Sequence, residues 1–245
     1  MHAPAALVET VARPLSAGFE RLATRRGGEA VHRRGLVLGG PLRIWPGPRM
    51  TGATLLDHDR VHTVQARLSW GLGPVGPLPD VAGLGVRVMD ADGNGGRQDL
   101  LVDSCLAPPR DRLLTLRRDL AGWYGTPLRL RLARPTGPLV QVAARVVVEG
   151  DPGRRLTLDG ARAAAAAGRL QVLLLVHDRH RRLATGRILL DEVTDPANPP
   201  RPRFDLANQA GGLYYAGFWQ AVRRRTYQAS RRGDPRVRPS DPMAP

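Results

Sequence analysis

From His32 onward, the sequence consists of short alternating or continuous apolar runs separated by Gly and Pro. Alternation with a period of two is typical of β-strands, while Gly and Pro mark the turns between them. About eight such runs at this density favour a closed antiparallel barrel or a sandwich. The predicted strands are Gly35 to Trp45, Val61 to Trp70, Leu84 to Met89, Asp99 to Asp103, Leu128 to Leu132, Leu139 to Val148, Leu170 to His177 and Ala184 to Leu190.

Helical segments flank and interrupt the predicted strands. Residues 5 to 25 carry apolar side chains at helical spacing, broken by Pro14, which predicts a kinked or two-part amphipathic arm. Three further helices are predicted, at Asp111 to Tyr124, at Asp159 to Arg169 with Asp159 as N-cap, and at Leu213 to Arg232. The predicted organisation is an arm over 1–27, a barrel with inserted helices over 28–208, a closing helix over 209–233 and a disordered tail over 234–245, with a Pro-rich connector at Pro196 to Arg203.

Composition limits the classes of function. The chain has 245 residues, enough for one well-buried core, and its 37 basic against 22 acidic residues give a net charge of +15. All 37 of these basic residues are Arg and none is Lys, which is typical of a GC-rich coding bias. That bias does not explain the excess of basic over acidic residues, so we expect some affinity for anions. Cys105 is the single cysteine, which rules out an internal disulfide and a thiolate zinc cluster.

The expected location is the cytoplasm. The first nine residues lack both a basic region and a sustained apolar region, so secretion is not indicated. The most apolar run, Val172 to Val176, is too short to span a bilayer, and we expect no membrane partner.

Arg223 and Tyr227 stand four residues apart on the predicted last helix, and residues at this spacing share a helix face. A phenol ordinarily loses its proton near pH 10, and a neighbouring cation favours the phenolate. Tyr227 is therefore a candidate iron ligand. The alternative is that Tyr227 packs the apolar side of the helix against the barrel, as most helix tyrosines do.

Three separated segments together resemble the haem catalases and their shorter catalase-related peroxidase relatives. Val31-His32-Arg33-Arg34-Gly35 is similar to the strand that carries the distal histidine of that family. The second segment begins with Val64-Gln65-Ala66-Arg67-Leu68-Ser69, and continues through Pro79 to Val88 and Asp99-Leu100-Leu101. The third begins with Phe204-Asp205-Leu206-Ala207-Asn208 and ends with Arg223 to Ser230. The order and approximate spacing agree from about residue 28 to residue 232.

This resemblance implies an α+β fold with an eight-stranded antiparallel barrel and haem b held against a C-terminal helix. It implies Tyr227 as the iron ligand, Arg223 beside it, and Arg67 as the partner of a haem propionate. His32 would move the proton of hydrogen peroxide or an organic peroxide, and Ser69 would fix the tautomer of His32. An anionic oxygen ligand stabilises ferric iron and favours peroxide chemistry. The expected activity is peroxidase or peroxide-driven oxidase action on a small organic donor.

One departure from the family pattern concerns the distal side. Asp103 stands about where the family has an asparagine, so a carboxylate or the neighbouring Ser104 hydroxyl replaces a neutral amide donor. A carboxylate there would raise the pKa of His32, and we therefore expect weak catalase activity.

Two alternatives to catalysis remain at this stage. Asp103 raises the possibility of a degenerate relative that binds haem without turning over peroxide. The excess of Arg raises the possibility of a non-catalytic barrel that binds nucleic acid or another polyanion, although nucleic acid is not the expected partner.

Overall fold

The computed structural model describes residues 5–26, 32, 34–71, 78–151, 153, 155–178, 180–194 and 204–232. Close contacts divide the chain into two compact units, Arg34–Tyr215 and Met1–Arg33 with Ala216–Pro245. The predicted connector over 196–203 and the predicted tail over 234–245 lie outside the described residues.

The strands of the larger unit form a ring. In chain order they are β1 (Arg34–Pro46), β2 (Val61–Trp70), β3 (Ala82–Val88), β4 (Gln98–Ser104), β5 (Gly122–Gly125), β6 (Leu130–Leu132), β7 (Leu139–Val148), β8 (Leu170–His177), β9 (Arg182–Leu190), β10 (Glu192–Val193) and β11 (Leu213–Tyr214). Each strand pairs antiparallel with the next in the order β1, β2, β3, β4, β5, β7, β8 and β9, and β9 pairs with β1. The predicted closed antiparallel barrel of eight strands with flanking helices, an α+β fold, is confirmed.

Aliphatic side chains fill the barrel. Buried apolar residues at alternate positions of the ring strands belong to one cluster, which includes Leu38, Leu68, Leu84, Val142 and Leu170. Burial of a Leu side chain contributes about 1.5–3 kcal/mol, so this cluster is the main source of stability. Because side chains alternate along a strand, the intervening residues point away from the barrel interior.

The prediction of a helix over Asp111 to Tyr124 is wrong. These residues form a loop that runs into β5. The guanidinium group of Arg117 donates hydrogen bonds to three backbone carbonyls in and around this loop. The Asp119 carboxylate accepts hydrogen bonds from the backbone N–H groups of Ala121 and Leu156. Side chains thus satisfy the backbone groups that a helix would satisfy internally.

The fifth barrel strand is consequently β5 and not the predicted Leu128 to Leu132. The part of that prediction which does form a strand, β6, pairs with the beginning of β7 and with β11, outside the ring. β10 pairs with β1. The number of barrel strands was therefore predicted correctly, but one of them was misplaced.

Two short helices accompany the barrel. They are α2 (Thr54–Asp57) and α3 (Leu158–Ala166). α3 corresponds to the helix predicted from Asp159, but its N-cap is Thr157, whose hydroxyl accepts a hydrogen bond from the backbone N–H of Gly160 at 3.1 Å.

The smaller unit pairs two helices, α1 (Ala5–Arg26) and α4 (Phe218–Arg232). α1 continues through Pro14 as one helix, so of the predicted kinked or two-part arm the two-part alternative is wrong. Val8, Ala12 and Val222 are buried together between the two helices. The predicted final helix begins at Phe218 instead of Leu213, since Leu213 and Tyr214 form β11. Among the described helices, none combines the length and the apolar character that a bilayer-spanning helix needs.

Candidate functional site

The register of β1 to β4 aligns several predicted site residues on the side of the sheet that faces away from the barrel interior. Gly35, Ser69, Gly83 and Asp103 lie directly opposite one another across the four strands, and we call them the outer row. Arg67 lies in the adjacent row on the same side, opposite Gly85. Arg67, Ser69 and Asp103 therefore lie near one another on this side of the sheet, because side chains two residues apart on a strand share a side.

Both Arg67 and Ser69 are withdrawn from solvent, with exposed fractions of 7% and 4%. Ser69 donates a hydrogen bond from its hydroxyl to the backbone carbonyl of Gly83 at 3.3 Å. A Cβ atom on Gly35 would lie 2.9 Å from Cβ of Ser69 and 3.0 Å from Nε of Arg67. A residue with a side chain does not fit at position 35 without displacing these two groups. Glycine at this position therefore allows Ser69 and Arg67 to pack against the backbone of β1.

A buried ion pair occupies the next row on this side of the sheet. Arg87 donates to both carboxylate oxygens of Asp99, at 2.8 Å and 2.7 Å, and Asp99 is fully buried. Asp99 also accepts hydrogen bonds from the backbone N–H of Asp205 and from the side-chain amide of Asn208. The Phe204 ring lies 5.5 Å from Cζ of Arg87.

This network joins the second and third of the segments on which the resemblance to catalases rests. The resemblance includes those segments but assigns no role to Arg87 or Asp99. The sequence signal that could have identified them is the presence of one Arg and one Asp on two neighbouring predicted strands, because a buried charge requires a partner of opposite charge. The network fixes the chain after Phe204 on the outer side of the barrel.

Arg223 and Tyr227 share one face of α4, as predicted from their spacing. The guanidinium carbon of Arg223 lies 5.6 Å from the centre of the Tyr227 ring. Tyr227 is half-buried. A guanidinium over an aromatic face is attracted to the electrons of the ring.

His32 lies two residues before β1, not on the strand itself. Its φ is +59°, in the left-handed region that residues other than glycine adopt uncommonly. His32 is half-buried. Such a backbone conformation is found most often at turns and functional sites, where the surrounding structure holds it.

The predicted site residues are divided between the two units. Arg67, Ser69 and Asp103 belong to the barrel unit, while His32, Arg223 and Tyr227 belong to the unit that contains α1 and α4. The approach of His32 and Tyr227 to a common cofactor stays a prediction.

The residue types available fit the needs of a haem. A buried guanidinium, that of Arg67, suits a propionate, and it is planar and permanently charged. A half-buried phenol with an adjacent arginine suits an anionic oxygen ligand of ferric iron.

In comparisons with known proteins, no protein-family model matches this chain, and no curated protein sequence matches it.

Proposed function

We propose that this protein is a haem-binding, catalase-like oxidoreductase that acts as a peroxidase or peroxide-driven oxidase on a small organic donor, with weak catalase activity. The observation that carries the proposal is the outer row, in which Ser69 and Asp103 flank Gly83, with Arg67 beside them. The order of the sequence segments and the closed eight-stranded barrel also support it.

In this proposal, Tyr227 ligates the iron, Arg223 stabilises the phenolate, and Arg67 holds a propionate. When bound, haem supplies the redox chemistry of ferric iron with peroxide. The imidazole of His32 would accept and return the proton that peroxide chemistry at the haem moves. Ser69 donates its own proton to Gly83 and keeps lone pairs to accept the imidazole N–H, which would fix the tautomer of His32.

Asp103 accounts for the expected weakness of dismutation. A carboxylate accepts hydrogen bonds but donates none, so it cannot replace the amide N–H that an asparagine offers to peroxide. Its negative charge would also favour the protonated form of His32. Asp103→Asn is therefore expected to increase peroxide dismutation relative to donor oxidation.

Reconstitution of the full chain with hemin tests the proposal. We expect a Soret band, lost or strongly shifted in Tyr227→Phe but retained in Tyr214→Phe, which removes a half-buried hydroxyl from β11. Arg223→Met is expected to weaken hemin binding by about tenfold. Absence of a Soret band, or a band that Tyr227→Phe leaves unchanged, would contradict haem binding through Tyr227.

Peroxide decay and donor oxidation, measured separately, distinguish an enzyme from a haem-binding protein without turnover. His32→Ala is expected to abolish donor oxidation while hemin stays bound. If hemin binds but the wild type shows neither peroxide decay nor donor oxidation, the degenerate relative is the correct alternative.

A second candidate function, polyanion binding, is favoured by a basic pocket on the barrel unit. Arg34, Arg117, Arg118 and Arg155 line a cavity of about 240 Å³ together with Trp70 and one acidic residue, Asp80. A polyanion should bind there with an affinity that falls steeply with ionic strength. Fluorescence anisotropy with a labelled oligonucleotide, comparing the double variant Arg118→Gln, Arg155→Gln with the control Arg187→Gln in β9, tests this alternative.

A further inference from the structure

A second polar pocket lies beside the end of β8, away from the outer row. Its volume is about 110 Å³, and it is lined by Asp111, Arg112, Arg129, Gln141, His177 and Asp178 among others. All six belong to the barrel unit, and the proposed haem function uses none of them.

One wall of the pocket is an ion pair between two distant parts of the chain. Nε2 of His177 lies 2.8 Å from Oδ2 of Asp111, and Nδ1 of His177 lies 2.9 Å from the backbone carbonyl of Asp178. Both partners are acceptors, so the arrangement is satisfied when both ring nitrogens carry protons. Asp111 is 1% exposed. Because both nitrogens are occupied, His177 contributes a positive charge and a fixed wall to the pocket, but no further donor.

Gln141, one of the lining residues, carries a buried acceptor atom that no described residue satisfies. Gln141 is opposite His177 in the β7–β8 register, so the two side chains are neighbours. Nε2 of Gln141 donates to the backbone carbonyl of Thr126, which fixes the orientation of the amide because that carbonyl can only accept. The side-chain oxygen of Gln141 is buried and receives no hydrogen bond from the described part of the chain.

Such an oxygen is unusual, because nearly all buried polar atoms have a partner. Gln141 as a whole is 3% exposed. An occupant of the pocket that brings an O–H or N–H group would satisfy this atom, whereas a purely accepting ligand would not.

The guanidinium groups of the lining favour an anion. Arg112 and Arg129 both line the pocket, and His177 is already paired with Asp111. One carboxylate oxygen of Asp178 already accepts backbone N–H groups from His180 and Arg181 at 2.7 Å each. Guanidinium groups are well suited to oxyanions because they present several N–H groups in one plane.

Volume restricts the size of the occupant. A water molecule takes about 30 Å³ in the liquid, so about 110 Å³ admits a group of only a few heavy atoms. Pockets for larger organic ligands are about 300–1,000 Å³. Haem and nucleotides are therefore too large for this pocket.

We propose that this pocket is a binding site for a small oxyanion that carries its own hydroxyl group, either monohydrogen phosphate or a short 2-hydroxycarboxylate. The anionic oxygens accept hydrogen bonds from the guanidinium groups of Arg112 and Arg129. The ligand hydroxyl donates to the side-chain oxygen of Gln141. This site is independent of haem binding.

Comparison of anions with and without a hydroxyl group tests the proposal. The full chain, labelled with ¹⁵N, is titrated near neutral pH with phosphate, sulfate, glycolate and acetate, and amide shifts are followed. We expect phosphate to bind at least about tenfold more tightly than sulfate, or glycolate at least about tenfold more tightly than acetate, because only the first of each pair can donate to Gln141. The pair that shows the difference identifies the class of ligand.

Variants locate the binding. Arg112→Met is expected to weaken binding of the preferred anion by about fivefold or more, whereas Arg110→Met, an exposed arginine two residues earlier, should leave it unchanged. Gln141→Leu should remove the preference for the hydroxylated anion. If Gln141→Leu does not fold, the wild-type anion ratios together with Arg112→Met decide the question.

Three results would each overturn the proposal. The first is the absence of saturable shifts with any of the four anions. The second is equal binding of the hydroxylated anion and its partner in both pairs. The third is binding that Arg112→Met does not affect.

Discussion

Asp99 is a fully buried strand residue for which the sequence predicted no role. It accepts two hydrogen bonds from Arg87, one from the backbone of Asp205 and one from Asn208, and it is fully buried. A buried carboxylate of this kind is stable only while its donors remain, and the buried Arg87 depends equally on Asp99.

Asp99→Asn should therefore destabilise the barrel strongly. The amide keeps the shape of the side chain but removes the negative charge that lies 2.7 Å from the buried Arg87 guanidinium, which costs about 3–5 kcal/mol. The measurement is the free energy of unfolding from urea denaturation. Asp59→Asn is the matched control, because Asp59 pairs with Arg43 at 3.1 Å on the exposed surface and its loss should change stability little. Equal effects of the two substitutions would contradict the assigned importance of the buried pair.

Cys105 is expected to be chemically inert in the native protein. Burial, followed by the negative charge of Asp111, raises the pKa of its thiol from 9.0 to about 12. Because the thiolate is the reactive form, its population near neutral pH should be about a thousandfold lower than in the unfolded chain. The rate of reaction with a disulfide reagent, compared with and without denaturant, measures this difference. Rapid labelling of the folded protein would show that the site opens.

At the scale of elements, the contact between His177 and Asp111 ties the end of β8 to the loop that precedes β5. The two residues are 66 positions apart in the sequence. The hydrogen bond to Asp111 raises the pKa of His177 above its ordinary value of 6.5, and burial opposes the change. Folding therefore favours the protonated form of the imidazole.

The free energy of unfolding should depend on pH through the contact between His177 and Asp111. Its contribution is fully present below about pH 6.5 and is lost as the pH rises through the higher pKa of the folded state. The difference in unfolding free energy between wild type and His177→Asn should thus be larger at pH 6 than at pH 9. In an Asp111→Asn background, His177→Asn should show a much smaller pH dependence. A difference independent of pH would rule out protonated His177 as the native partner of Asp111.

The predictable part of this fold was the set of strands in which apolar and polar residues alternate regularly. The alternation in β2, β7 and β8 gave their bounds directly, and it also placed Arg67 and Ser69 on one side of β2. The loop over 111–121 could not be predicted, because its backbone depends on the side chains of Arg117 and Asp119 and on contacts with distant segments. The pocket at Gln141 was missed for the same reason, since Asp111 reaches His177 only in three dimensions.

At the scale of the whole molecule, a closed barrel and a pair of helices form separate compact units. In the barrel, every ring strand has two paired neighbours, and its interior is one continuous aliphatic cluster. The pair of helices has a much smaller apolar cluster, and the ion pair of Arg225 with Glu9 stabilises it from an exposed position.

Amide hydrogen exchange should reveal these units as two levels of protection. Strands β2, β3, β7 and β8 should exchange slowest, since they open only when the barrel unfolds, while α1 and α4 should exchange faster through a smaller opening. Mass-spectrometric measurement on the intact chain gives the comparison. A single common rate for the helices and the barrel strands would show that the molecule opens as one cooperative body.

The outer row shares its strands with the interior packing. In β2, Leu68 packs inside the barrel while Ser69, the next residue, faces the opposite way. Insertion of a single residue into such a strand would exchange the two roles at once, emptying the core and misdirecting the polar groups. Changes in chain length are thus confined to the connecting loops, and any descendant of this sequence that retains the barrel also retains the spacing of its candidate site.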